Sequence, residues 1–129
     1  LAKQEDIKVV CPEDCGNAPK KQILRDFNVA TVQNKTELVL DYITDDVVWS
    51  IVGSHQVVGK DNFLKEINKK EHVTELHIDN IITHGKTASL NGVYMEESRK
   101  VAFCHVYLFN KAGKSGKIKE ITTYIINLP

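Results

Sequence analysis

From Ile23 onward, apolar residues fall on one side of a helical repeat: Ile23, Leu24, Phe27, Ala30 and Thr31 occupy positions i, i+1, i+4, i+7 and i+8. That spacing predicts an amphipathic helix over residues 18 to 33, with Asn17 as its N-cap and Pro19 tolerated in the first turn. Thr36 is placed to cap a second, shorter helix whose buried face is Leu38, Val39, Tyr42 and Ile43, and Thr44-Asp45-Asp46 ends it. The period then falls to two. Val47 to Val52 is a β-branched run stopped by Gly53, and Gln56-Val57-Val58 is a short strand stopped by Gly59. Phe63, Leu64 and Ile67 mark a third helix, whose other side carries Lys60, Lys65, Lys69 and Lys70 and reads as a solvated face. Residues 73 to 84 alternate, with Leu76, Ile78 and Ile82 on one side and Glu75, His77 and Asp79 on the other. Strands over residues 87 to 96, 100 to 109 and 118 to 128 follow, separated by turns at Gly85-Lys86 and Ser98-Arg99 and by the loop Asn110 to Gly116. Val101 to Phe109 is apolar on both faces, which predicts a central strand.

Helices first, then long consecutive strands, indicate an α+β fold with helices on one face of a mostly antiparallel sheet. Long strands twist and curl, so helices packed into the curl leave a cavity at the open end. The expectation is a cone-shaped domain over residues 18 to 129, its curved sheet wrapped around the N-terminal helix with two further short helices. An irregular, peripheral segment over residues 1 to 17 precedes it.

Composition narrows the partners. A chain of 129 residues with 42% hydrophobic and 26% charged residues suits one globular domain and excludes disorder. Lys+Arg and Asp+Glu both number 17, with no basic stripe, so nucleic acid is not an expected partner. No apolar run approaches the length of a membrane span. The cysteines Cys11, Cys15 and Cys104 are odd in number, which predicts reduced thiols and a cytoplasmic location, with Cys104 buried in a strand. Cys11 and Cys15 lack the second ligand pair of a structural zinc site, so neither metal nor cofactor is expected.

The strings Tyr42-Ile-Thr-Asp-Asp46, Val47-Val-Trp-Ser-Ile-Val-Gly53, Val58-Gly-Lys-Asp-Asn-Phe-Leu64 and Gly116-Lys-Ile-Lys-Glu120 with Tyr124, in that order, resemble the nuclear transport factor 2-like superfamily. Within it the chain is most similar to the SnoaL-like and ketosteroid-isomerase-like branch, over roughly residues 18 to 127. The resemblance implies a mostly apolar pocket lined by Trp49 and Ile51, Gly92 and Tyr94, and Phe103, His105 and Tyr107, closed by Phe27 and Phe63. It also implies positions for isomerase chemistry: a carboxylate base, a Tyr, and a protonated Asp donating to an enolate oxygen. This chain has Ile51, Phe27 and His105 there, so the base is missing.

His105, desolvated among Phe103, Cys104 and Tyr107, should be neutral and able to accept a proton or donate one to a ligand oxygen. Its other reading is a structural histidine satisfied by a backbone or Tyr partner. Asp26, beside the apolar face of the first helix, is a candidate to orient it. Trp49 reads either as a flat wall for a ligand or as core packing. Glu96 reads as a rim group or plain surface, and His55, His72, His77 and His84 as solvated. The expected function is binding of a small apolar or aromatic molecule, with cofactor-independent isomerase, dehydratase or cyclase activity. The alternative is a non-catalytic dimeric interaction module with a filled pocket. Ala102, Cys104, Val106 and Leu108 lie on the outer side of the central strand, so a homodimer through that face is expected.

Overall fold

The computed structural model describes residues 7–12, 19–70 and 72–129. Asn17 and Cys15 lie outside the described residues. Among those described, the chain runs β1 (Lys8–Val10), α1 (Pro19–Val32), α2 (Thr36–Leu40), β2 (Ile43–Ile51), β3 (His55–Val58), α3 (Lys60–Asn68), β4 (Val73–His84), β5 (Thr87–Glu96), β6 (Lys100–Phe109) and β7 (Ile118–Leu128). The strands form one curved, open sheet in the order β1-β4-β5-β6-β7-β2-β3, with the doubly apolar β6 at its centre. β4 to β7 are antiparallel neighbours, while β2 joins β7 and β1 joins β4 in parallel. The sheet is therefore mixed.

The helices fill its concave side. Leu24, Phe27 and Ala30 of α1, Val39 of α2, and Phe63 and Ile67 of α3 join one core with Leu76, Leu90, Tyr107 and Ile121 of the sheet. Aromatic edges lock α1 in place: Phe27 meets Tyr107 at 6.3 Å and Tyr42 at 5.9 Å, both near-perpendicular. Lys20, only 6% exposed, sends its ammonium across Phe109 to the carbonyl of Gly113 at 2.6 Å, tying the start of α1 to the β6–β7 loop.

Four readings of the pattern are corrected. α2 is a single turn without a side-chain cap, Lys35 rather than Thr36 precedes it, and Leu38 is 47% exposed. Ile43 is not helical: Ile118 N–H bonds to the Tyr42 carbonyl at 2.8 Å, and Ile43 pairs with Ile118, so β7 captures the chain early. A register shift between Ile43 and Val48 leaves Asp45 and Asp46 exposed within β2.

In β4, a second shift between Ile78 and Asn80 inverts the later alternation. Ile81 is buried, and Ile82 is 62% exposed. Residues 8 to 10, read as irregular, form the edge strand β1 beside Glu75 to His77, and Ile7 is buried. Three residues are too few to display a period.

Finally, Cys11 is disulfide-bonded and Cys104 is a free thiol, partly rather than fully buried. The partner of Cys11 lies outside the described residues. Disulfides persist in oxidising compartments, so the cysteines do not point to the cytoplasm. No helix among the described residues is long and apolar enough to cross a membrane.

Candidate ligand-binding site

Alternation along the curved strands sends every second side chain inward. At one level of the sheet Leu90, His105, Thr123 and Ile51 stand side by side across β5, β6, β7 and β2, and at the next Ala88, Tyr107, Ile121 and Trp49 do. These rows, with α1 and α3 above them, enclose a cavity of about 110 Å³. Phe27, Trp49, Ile51, Phe63, Tyr94, Phe103, His105 and Tyr107, all named from the sequence as pocket residues, line it together. Gly92 has no side chain to contribute; a Cβ there would lie 1.9 Å from the His77 carbonyl oxygen.

Asp26 is not brought to the cavity. Its carboxylate accepts from Gln22 at 3.0 Å and pairs with Arg25 at 3.1 Å on the half-exposed side of α1. His72 is exposed, as read from the sequence, and also borders the cavity; so does Glu96, whose buried carboxylate holds the Arg99 guanidinium at 2.5 Å. His55 and His77 bond instead to Glu66 and Glu75.

What orients His105 is Thr123. Trp49 Nε1–H donates to Thr123 Oγ1 at 2.8 Å, and His105 Nδ1 lies 2.7 Å from the same oxygen. An indole N–H can only donate, so the Thr123 hydroxyl accepts from Trp49 and still has its own hydrogen to give; in the tautomer that takes it, His105 Nδ1 is the acceptor. Burial first, and the nearby Lys70 ammonium second, push the imidazole down to about 3, so at neutral pH it holds one proton. With Nδ1 accepting, that proton is on Nε2. Nε2–H has no partner among the described residues, and His105 faces the cavity as a hydrogen-bond donor.

Tyr107 is a second donor by the same accounting. Asn28 Nδ2 donates to the Leu24 carbonyl at 2.7 Å, which fixes the amide, and also to the Tyr107 hydroxyl at 3.0 Å. The phenol therefore accepts from Asn28 and keeps its own hydrogen to give. Burial raises its pKa further, so it stays protonated. The His105 and Tyr107 rings are 6.0 Å apart on the same face of β6. The site thus offers two neutral donors in an apolar chamber, an arrangement suited to an acceptor oxygen.

Sequence reasoning missed Asn28, Thr123 and Lys70. Thr123 alternates with Ile121 and Ile125, which was signal enough to place it inside. Asn28 follows Phe27 and lies one turn after Leu24, on the buried side of α1.

The architecture is the nuclear transport factor 2-like cone. No family model matches the sequence, and no curated protein does. Solved structures of that fold do match. A nuclear transport factor 2-like protein of unknown function from Burkholderia xenovorans superposes with a TM-score of 0.75 at 14% identity, over 86% of this chain and 85% of that one. A candidate ketosteroid isomerase from Kribbella flavida gives 0.73 at 10% identity, over 86% and 80%. A candidate SnoaL-like polyketide cyclase from Shewanella denitrificans gives 0.70 at 12%, over 83% and 90%.

Proposed function

We propose that the cavity binds a small apolar or aromatic molecule by an acceptor oxygen, held by His105 Nε2–H and Tyr107 O–H. The observation that supports this most is the Trp49–Thr123–His105 chain, in which Thr123 giving its hydrogen to Nδ1 leaves Nε2–H as a donor toward the cavity. The open chamber speaks against the filled-pocket alternative, because Trp49, Tyr94 and Tyr107 line space rather than occupy it.

The chemistry on offer is stabilisation of negative charge growing on that oxygen, through groups the chain itself supplies. Dehydration or cyclisation of an oxygenated aromatic substrate would use it. Steroid-type isomerisation fits poorly, because Ile51 stands where the base would be needed. A homodimer through the outer face of β6 is part of the same reading.

Trp49 is the chain's single tryptophan and a cavity wall, so its fluorescence reports occupancy. Acetophenone should quench it saturably and bind roughly three- to tenfold tighter than ethylbenzene, the worth of a neutral hydrogen bond. His105→Leu and Tyr107→Phe should each narrow that gap. Equal affinity for the two probes in the unaltered protein would remove the reading.

A further inference from the structure

Lys70 lines the cavity, yet it belongs to none of the roles above. It follows the end of α3 at Asn68, and its ammonium lies 5.2 Å from the centre of the Trp49 ring. The carboxylates that act on it are committed elsewhere. Glu66 of α3 bonds His55 at 2.9 Å and pairs with Lys69 at 3.8 Å. Glu96 of β5 holds Arg99 at 2.5 Å, and that guanidinium adds positive charge of its own nearby. No carboxylate among the described residues forms an ion pair with Lys70. His72 lines the cavity as well, and His105 feels the Lys70 charge. Among the described residues, then, the mouth of an apolar chamber carries a cation with no carboxylate in an ion pair with it.

Lys70 is exposed at the rim, with its ammonium over the Trp49 ring, so an anion entering the chamber passes within reach of a hydrated cation. Partial desolvation there draws the Lys70 pKa down, against the upward pull of Glu66 and Glu96. We propose that Lys70 is the counter-charge for a carboxylate on the ligand. The molecule would be an aromatic or aliphatic oxo- or hydroxy-acid, with its acceptor oxygen at His105 and Tyr107 and its anionic end at Lys70. This inference rests on the oxygen-binding reading and names the substrate class for that same site. A chamber of about 110 Å³ suits a single ring, and the anionic end then falls at the opening, where part of its hydration survives. A neutral ketone leaves Lys70 unmatched, whereas a keto-acid completes a charge-assisted hydrogen bond.

Benzoylformate and acetophenone test this directly, since one carries a carboxylate where the other carries a methyl group. Titrated against Trp49 fluorescence at pH 7, benzoylformate should bind about tenfold tighter than acetophenone, the scale of one charge-assisted bond. In Lys70→Met the two should bind within about twofold of each other, and Lys70→Arg should keep the preference. Acetophenone binding as tightly as benzoylformate in the unaltered protein overturns the carboxylate inference and leaves the oxygen-binding reading standing. So does a preference that survives Lys70→Met. If neither probe binds, both ideas fall together.

Discussion

His105 shows how one residue ties the site to the stability of the whole chain. Its imidazole sits at about 3 in the folded protein, against 6.5 for an ordinary histidine. As pH falls, the unfolded chain therefore takes up this proton first. The group's contribution to stability is fully present above about pH 6.5 and is lost progressively as pH drops toward 3. The loss is steepest at about 1.4 kcal/mol per pH unit. His105→Gln keeps a hydrogen-bonding group but cannot titrate. Chemical denaturation at a series of pH values from 7 to 4 should give a shallower decline for the variant, by about that slope. Glu75, whose carboxyl the His77 bond holds low, loses its contribution in both proteins alike and so cancels. Equal slopes would mean that His105 protonates freely in the folded state. The aromatic wall was legible in the sequence because period-two strands declare their inward residues. Thr123 was not, because its importance lies in which neighbour donates to it and which accepts. Lys70 was hidden by a helical face that extends past the real end of α3.

The least legible feature among the elements, the pair of register shifts in β4, has the largest geometric effect. Alternation read straight through residues 73 to 84 puts Ile82 inside. The shift between Ile78 and Asn80 turns Ile81 inward instead and re-aims the strand. Hydropathy does not announce such a bulge, since either register buries an isoleucine. Gly92 is the better marker. It pairs with Ile78 beside the bulge, and the His77 carbonyl occupies the space a side chain would need. Gly92→Ala should therefore force the two strands apart and cost on the order of 3 kcal/mol, read as a lower denaturation midpoint. A melting curve unchanged by Gly92→Ala would show that the strands do not approach this closely. By contrast, the bounds of β5, β6 and β7 follow the pattern almost residue for residue, because glycine- and serine-bearing turns flank them. α2 departs from it because one turn of helix holds too few residues to outweigh the pull of β7 on Ile43.

For the whole molecule, the open question is what covers the convex face. Across it, Ala102 neighbours Ile126, Cys104 neighbours Tyr124, and Val93 neighbours Ala102. Ile126 is 66% exposed, Tyr124 49% and Val106 41%, on strands whose other face lines the core and the cavity. A contiguous apolar surface of this kind marks an association site more often than a solvated one. We propose that its occupant is a second copy of the chain. A two-fold pairing lets β6 and β7 of each copy cover the other's patch, and the contact closes on itself. The charge balance fits, since a chain with zero formal net charge meets no long-range repulsion from its copy. Charge borders this patch: His77, which bonds to Glu75, pairs with Val93, and Glu120 pairs with Leu108, so both fall at its rim. Sedimentation equilibrium at micromolar concentration should therefore give twice the mass of the chain. Ile126→Lys places a charge at the most exposed point of the patch and, mirrored by symmetry, a second one close to it. That variant should sediment as a single chain while keeping its fold by circular dichroism and its Trp49 response to acetophenone. The cavity opens on the concave side, so assembly and binding should separate cleanly. An unaltered protein that sediments at the mass of one chain would refute the pairing, and an Ile126→Lys variant that stays paired would move the interface off this face.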